Sequence, residues 1–396
     1  MPQSAPAQST LDRARLYQDE LTAIRRDIHA HPELGLEEYR TAEIVAEKLQ
    51  EWGIEVHRNV GKTGVVGVLR NGNGQASVGL RADMDALPIQ EATGLPYASK
   101  TPGLMHACGH DGHTTMLLGA ARYLAETRAF NGTVNFIFQP AEEGIGGALE
   151  MLKDNLFGRF PCDAVFGMHN WPGMPVDHVM TGPGPRLAGG AFFDIHITGK
   201  GAHGARPHES IDPVMVACHL ATALQTIVSR NVPAMDSAVL SVTRVQTGDA
   251  YNVIPQSATL SGTVRAFKRE VMTMIEQNMG RLATAIASGF GAEATLDFRL
   301  LFAPTVNDAE QFEAIVDAAV ALVGEARVER NAAPIMGSED FSFMMEKVPG
   351  AHVFLGNGES AVHHNDRFDF NDAAIPYGVA LYAAIVERKL PKGTAG

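Results

Sequence analysis

The sequence predicts an α/β protein, a mixed-sheet domain with helices on both faces that is interrupted by a ferredoxin-like α+β domain. Short runs rich in Val, Leu and Phe alternate with helical segments through the first half, as a sheet covered on both faces requires. Near Leu187 the pattern switches to strands with one wet face, in the order βαββαβ. After Pro304 the first kind of pattern resumes, so the opening domain is completed by the returning chain. The expected boundaries are 1–186 with 303–396 for the larger domain and 187–302 for the insert.

Each element follows from its residues. Leu11, Leu16, Leu21, Ile24 and Ile28 recur at roughly helical spacing and are followed by Pro32, which predicts a helix over 11–29. A second helix is expected over 41–52, then strands over 63–70 and 76–85. The Leu117, Leu118, Ala121, Leu124 stripe predicts a helix over 114–128. Strands over 133–138 and 163–168 are stopped by Pro140 and by polar residues with Pro172. In the insert, Phe193, Ile195 and Ile197 alternate with Asp194, His196 and Thr198 in a strand over 190–199. A helix (212–230), strands (237–246, 258–267), a helix (269–288) and a strand (293–302) complete it. The return comprises a helix (308–323), a loop (334–343), a strand near 351–355 and a last helix (373–388).

Composition narrows the function classes. The 396 residues are 45% hydrophobic and 19% charged, which suits a globular chain of two or three domains. The net charge of −13, with no clustering of Lys and Arg, excludes a nucleic-acid binder. No run of 18 apolar residues exists, and Met1 to Thr10 lacks a basic and apolar leader, so no membrane association and a cytoplasmic location are expected. Cys108, Cys162 and Cys218 are too few for a disulfide framework.

The densest chemistry lies in "HACGHDGH" at 106–113, ahead of a helix. A thiol and an imidazole two residues apart can turn toward one metal, and a helix N-terminus favours the thiolate. A buried free cysteine among hydrogen-bonded histidines is the plainer alternative, but so many ligand types together favour a metal. In "QPAEEG" (139–144), Glu142 and Glu143 follow a strand. Adjacent carboxylates there point in different directions, so one can bind a metal while the other acts as a base toward water. His169 follows the run 163–168, and Asp83 and Asp85 end another strand, where a carboxylate can orient a ligand or, for Asp85, simply cap a turn. His363 and His364 offer one more ligand from the returning chain, whereas His203 and His208, in a Gly-rich turn, read by themselves as surface histidines. "EEGIGG" lacks the spacing of a nucleotide fingerprint.

Taken together, "RRDIHAHPELGLEE", "LRADMDALPIQE", "HACGHDGH", "QPAEEG", "GMHNWPG", "GKGAHGARPH", "NVIP", "GSEDFSF" and "HHNDRFDFND" run in family order across nearly the whole chain. The sequence resembles the dinuclear metallo-amidohydrolases related to aminoacylase and carboxypeptidase G, and is similar within them to the hippurate hydrolase and auxin-conjugate hydrolase branch. The resemblance implies a catalytic domain interrupted by a lid and dimerisation domain, hence a homodimer or dimer-based oligomer. It implies two divalent metal ions per subunit, manganese or zinc with cobalt or nickel as substitutes, held by Cys108, His110, Glu143, His169 and His364. His364 is preferred to His363 because it stands four residues before Phe368. Glu142 matches the general base and acid, Asp83 the orienting carboxylate, and His203 the lid histidine that reaches a partner subunit's active site to steady the oxyanion. Asn252 and Arg265 fall where the lid holds a substrate carboxylate. The family's proline after the last ligand is missing, and Phe368 replaces its tyrosine; neither change removes a required group. The activity implied is hydrolysis of N-acyl-L-amino acids, a small-molecule substrate, with a dipeptidase or carboxypeptidase on the same centre as the alternative.

Overall fold

The apolar runs of the first half pair into one eight-stranded sheet in the computed structural model, which describes residues 9–144 and 146–392. Its strands are β1 (Glu55–Val60), β2 (Gly64–Asn71), β3 (Ser77–Asp83), β4 (Gly132–Gln139), β5 (Ala164–Trp171), β6 (Val179–Met180), β7 (Val328–Glu329) and β8 (Gly350–Gly356). Their spatial order is β1-β2-β4-β3-β5-β8-β6-β7. The inner strands β4, β3, β5 and β8 are parallel, and β2 and β1 run antiparallel at one edge. β3 and β8 are buried along their whole length, which is why their sequences show continuous apolar character rather than alternation. Parallel pairing brings the carboxyl ends of β3, β4 and β5 to one edge of the sheet, with Asp83 beside Gln139.

The structure corrects several expected boundaries. The helix expected over 11–29 is two pieces, α1 (Thr10–Arg15) and α2 (Gln18–Ala30), because the chain turns at Leu16 and Tyr17. Leu16, counted in the apolar stripe, is 70% exposed at that turn. The next helix is α3 (Tyr39–Glu51), and α4 (His110–Thr127) begins at His110 rather than at residue 114. Its polar first turn is buried, with Asp111 held by His29 and His113 by Asp83, which sequence periodicity does not register. Phe370 packs so closely on that turn that a Cβ at Gly112 would lie 2.3 Å from its ring. β5 continues to Trp171, so His169 sits inside a strand rather than after one. β1 and the short helices Gly147–Lys153, Leu156–Arg159 and Phe341–Met345 carry too little periodicity to be anticipated.

A second compact unit holds Leu187–Thr305 with Pro334–Glu339; the first takes the chain up to Arg186, Val306–Ala333 and the chain from Asp340 on. The loop 334–339 therefore joins the insert rather than the returning domain. The second unit's sheet is antiparallel, with Ala238–Gln246, Ser257–Ala266, Gly189–Thr198 and Glu293–Phe302 in that order. Helices Pro213–Thr226 and Arg269–Gly289 bury Leu220, Leu224, Ile275 and Met279 with the inward residues Phe193, Ile195 and Ile197, the ferredoxin-like arrangement. The first of these helices ends earlier than residue 230, in a π-helical turn over Ile227–Asn231. Among the described residues no helix is long and apolar enough to cross a membrane.

In the first unit, α2 is tied to α4 by buried charge. Arg25 and His29 both meet Asp111 Oδ2, at 3.4 and 2.8 Å, and Arg25 also donates to Asp372 at 2.7 Å. Burial alone would lower the His29 pKa, but the Asp111 carboxylate outweighs it and pulls the imidazole up to about 9. A histidine with a raised folded pKa contributes stability below its unfolded value of about 6.5, and loses it as pH rises through about 9. The thermal midpoint of the metal-free protein is therefore expected to fall more steeply between pH 7 and 10 than that of His29→Gln; parallel curves would contradict this.

Candidate metal centre

Four segments distant in sequence converge at the carboxyl edge of the parallel strands. Cys108 and His110 stand at the start of α4, Glu142 and Glu143 follow β4, His169 lies on β5, and His364 comes from the returning chain. Gly109 makes the first of these possible. It has φ +94°, and a Cβ there would meet the Asn170 amide nitrogen at 2.3 Å. Ala141 (φ 52°) and His364 (φ 63°) also occupy the left-handed region, a cost of order 1 kcal/mol or more each that the surrounding contacts must hold in place.

Two of the sets into which the donor atoms group share one thiol. Cys108, His110 and His169 form one, and Cys108, Glu143 and His364 the other, with the atoms of each set within 4.8 Å of one another. Cys108 Sγ is 3.4 Å from His169 Nε2, and His364 Nε2 is 3.2 Å from Glu143 Oε1. Glu142 adds a carboxylate within the same reach of His110 and Glu143, and is 7% exposed.

The hydrogen bonds select the tautomers. His169 Nδ1 donates to the Asn170 carbonyl at 2.8 Å, which leaves the Nε2 lone pair facing Cys108. His110 Nδ1 faces Asp85 Oδ1 at 3.1 Å, so its Nε2 is likewise the free lone pair. His113 is different: Nδ1 donates to Asp83 at 2.6 Å while Nε2 accepts from the Asn170 N–H at 3.0 Å, so both nitrogens are engaged. His363 is diverted too, with Nε2 donating to Asn170 Oδ1 at 3.1 Å, whereas His364 reaches Glu143.

These residues fit a metal. His110 Nε2 is buried without a hydrogen-bond partner, as the inward lone pair of a metal ligand is, and Glu143 Oε1 is buried facing the His364 ring. Sulfur, imidazole and carboxylate donors at this spacing suit a divalent transition metal. Burial and the nearby Glu143 carboxylate push the Cys108 thiol pKa up, a bias that a bound cation reverses. Cys108 and Glu143 hydrogen bonds raise His364 to about 10, which marks the same spot as one that attracts positive charge.

Asp83 sits behind this cluster. Its Oδ1 accepts from His113, its Oδ2 accepts from Arg81 at 2.8 Å, and His110 Nε2 lies 3.7 Å away. Burial opposes its ionisation, but the imidazoles and Arg81 outweigh burial and hold the carboxyl well below the usual range. The carboxylate that grips His110 directly is Asp85, which the sequence left open between capping and orienting. Its Oδ2 also accepts the Glu143 N–H, at 2.9 Å, so one side chain fixes two donors. Asn170 is a residue that sequence reasoning missed. Its amide donates to the Cys108 carbonyl at 2.6 Å, across 62 positions of chain. Only its place beside His169 could have singled it out.

His203, Asn252 and Arg265 belong to the second unit. His203 lies on a two-residue strand paired with Val253–Ile254, and Gly204 N–H donates to the Asn252 carbonyl at 2.7 Å, so His203 and Asn252 share one small ribbon. Arg265 extends from Ser257–Ala266 opposite Gly190 and donates to Thr263 and to the Val264 carbonyl.

A donor cluster containing a thiol, with an additional buried carboxylate at the strand ends of an α/β sheet, defines a metal-dependent hydrolase. The chain belongs to Peptidase family M20/M25/M40, whose model matches residues 79–388. It is 44% identical over 373 residues to the hippurate hydrolase of Campylobacter jejuni, covering 94% of this chain and 97% of that protein. It is 39% identical to an N-acetylcysteine deacetylase of Bacillus subtilis, over 94% of this chain and 97% of the other. Among solved structures it is similar to the Bacillus subtilis YxeP protein, described as a dinuclear metal-binding M20 peptidase. That match has a TM-score of 0.82 and 36% identity over 94% of this chain and 98% of the other.

Because Asp85 holds both His110 and Glu143, Asp85→Ala is expected to weaken retention of a divalent metal on the order of 10- to 100-fold. Dialysis against a buffered metal series, followed by elemental analysis, checks this; wild-type retention would remove Asp85 from the support of the centre.

Proposed function

We propose that the chain hydrolyses the amide bond of N-acyl-L-amino acids, hippurate-like or N-acetylated, to a carboxylate and a free amino acid. The observation that carries this reading is Glu142, a buried carboxylate beside the shared-thiol cluster that a simple metal binder would not need. The similarity to a hippurate hydrolase and an N-acetylcysteine deacetylase supports the substrate class.

In this reading Cys108, His110, Glu143, His169 and His364 hold two divalent ions, manganese or zinc, with cobalt or nickel as substitutes. Such ions, when bound, supply Lewis acidity that acidifies water and polarises a carbonyl. Glu142 takes a proton from the attacking water and passes it to the amine nitrogen as the C–N bond breaks. Asp83 keeps the His113 ring fixed behind the cluster, and Asp85 fixes the direction of the His110 lone pair. The second unit acts as lid and dimerisation surface. His203 donates to the oxyanion, and Asn252 with Arg265 binds the substrate carboxylate. The enzyme works as a homodimer in the cytoplasm.

Chelator-stripped protein, assayed with and without manganese or zinc, is expected to release amino acid from a panel of N-benzoyl, N-acetyl and long-chain acyl amino acids in a metal-dependent way. Release from dipeptides alone would replace this reading with a peptidase. Glu142→Gln is expected to keep its metal and lose on the order of 10²- to 10⁴-fold in turnover; near-normal turnover would end the assignment of Glu142 as base.

A further inference from the structure

We propose that Asp340 is a positioning residue for Glu142, aiming that carboxylate through its own main-chain N–H; the inference rests on the reading of Glu142 as the proton carrier. The Asp340 N–H donates to Glu142 Oε1 at 3.3 Å. At that length the contact contributes direction more than strength. What makes it effective is how firmly Asp340 is held.

Asp340 is fully buried, and both of its carboxylate oxygens are anchored. Oδ1 accepts from Gln139 Nε2 at 2.6 Å and from Arg81 Nη2 at 3.1 Å. Oδ2 accepts from the Ala148 N–H at 2.9 Å. These donors come from β4, β3 and the helix Gly147–Lys153, so three separate elements fix one residue. Arg81 and Gln139 are themselves locked together, with Arg81 Nε donating to Gln139 Oε1 at 2.9 Å.

The Glu142 turn is fixed from its other side as well. Ala141 N–H donates to Glu38 at 2.8 Å, and Glu143 N–H to Asp85 at 2.9 Å. With the backbone held on both flanks, the direction of the Glu142 carboxylate depends on its side-chain torsions, and a donor pinned at Oε1 selects among them. A displacement near 1 Å at a reacting group costs on the order of a hundredfold in rate. Asp340 touches no reacting atom in this scheme; it acts through Glu142.

The test compares Asp340→Asn and Gln139→Glu with the wild type, on the best substrate of the panel above and per metal-loaded, folded centre. In Asp340→Asn the new amide nitrogen faces a donor whichever way it turns, toward Ala148 N–H or toward Gln139 and Arg81. Gln139→Glu keeps the acceptor for Arg81 but sets a carboxylate against Asp340 Oδ1. Both are expected to lower kcat on the order of 10- to 100-fold, with KM within about twofold and metal content as in the wild type. In a Glu142→Asp background, whose shorter side chain no longer reaches the Asp340 N–H, Asp340→Asn is expected to cost less than about twofold. An unchanged kcat in both single variants would overturn the proposal, since a purely structural anchor lowers the melting point without changing turnover per folded centre. A full loss repeated in the Glu142→Asp background would overturn it too, because Asp340 would then act independently. Near-normal turnover in Glu142→Gln would overturn both this inference and the reading beneath it, and so separates the two failures.

Discussion

The buried Arg81 guanidinium is the cation around which the catalytic edge of the sheet is organised. It is 1% exposed and donates to Asp83 on its own strand, to Gln139 on β4 and to Asp340 from the returning chain. One cation thus lies between two buried carboxylates, Asp83 and Asp340. Removing one partner of such a buried set typically costs about 3–5 kcal/mol, since the remaining charge is left uncompensated. Asp83 carries the arrangement on to His113 and from there to Asn170, and Asp340 carries it to Glu142. The Glu142 side and the Asn170 side of the cluster thus share a common support.

That support explains why the donors can be so sparsely hydrogen-bonded. His110 Nε2 is buried without a hydrogen-bond partner and Glu143 Oε1 faces the His364 ring, yet each side chain is constrained by contacts on its far side or along its backbone. The constraints come from main-chain groups and acids one step removed, which leaves the lone pairs aimed into a common space. An orientation imposed from behind is what a metal centre requires, because the inward atoms must stay available.

The sequence made the donors legible and their supports much less so. Cys108, His110, Glu142 and Glu143 are conspicuous because unlike ligand types crowd short stretches next to strand and helix boundaries. The inserted βαββαβ unit was equally readable, since one wet face gives strict alternation along Gly189–Thr198. Asn170 and Asp340, by contrast, act across 62 and 198 positions of chain, and no local pattern reports such pairings. The start of α4 was misplaced for a related reason. Its first turn is polar and buried, so the rule linking helices to an apolar stripe fails where function has replaced packing. The same conflict moved His169, which looked like a strand terminus because polar residues follow the apolar run, although β5 continues through them.

Placing the second unit inside the first has a consequence for synthesis. The donors are spread from Cys108 to His364, and the whole of Leu187–Thr305 is translated between His169 and His364. On the ribosome the four strands of the insert's main sheet and its two long helices emerge while strand β8 and His364 are still untranslated. The antiparallel unit can therefore fold first. The parallel sheet, with its long-range pairings between β5 and β8, is closed only once β8 has been made. Until His364 has followed it, the nascent chain carries only part of the donor cluster, so the topology lets the insert fold before the cluster is complete.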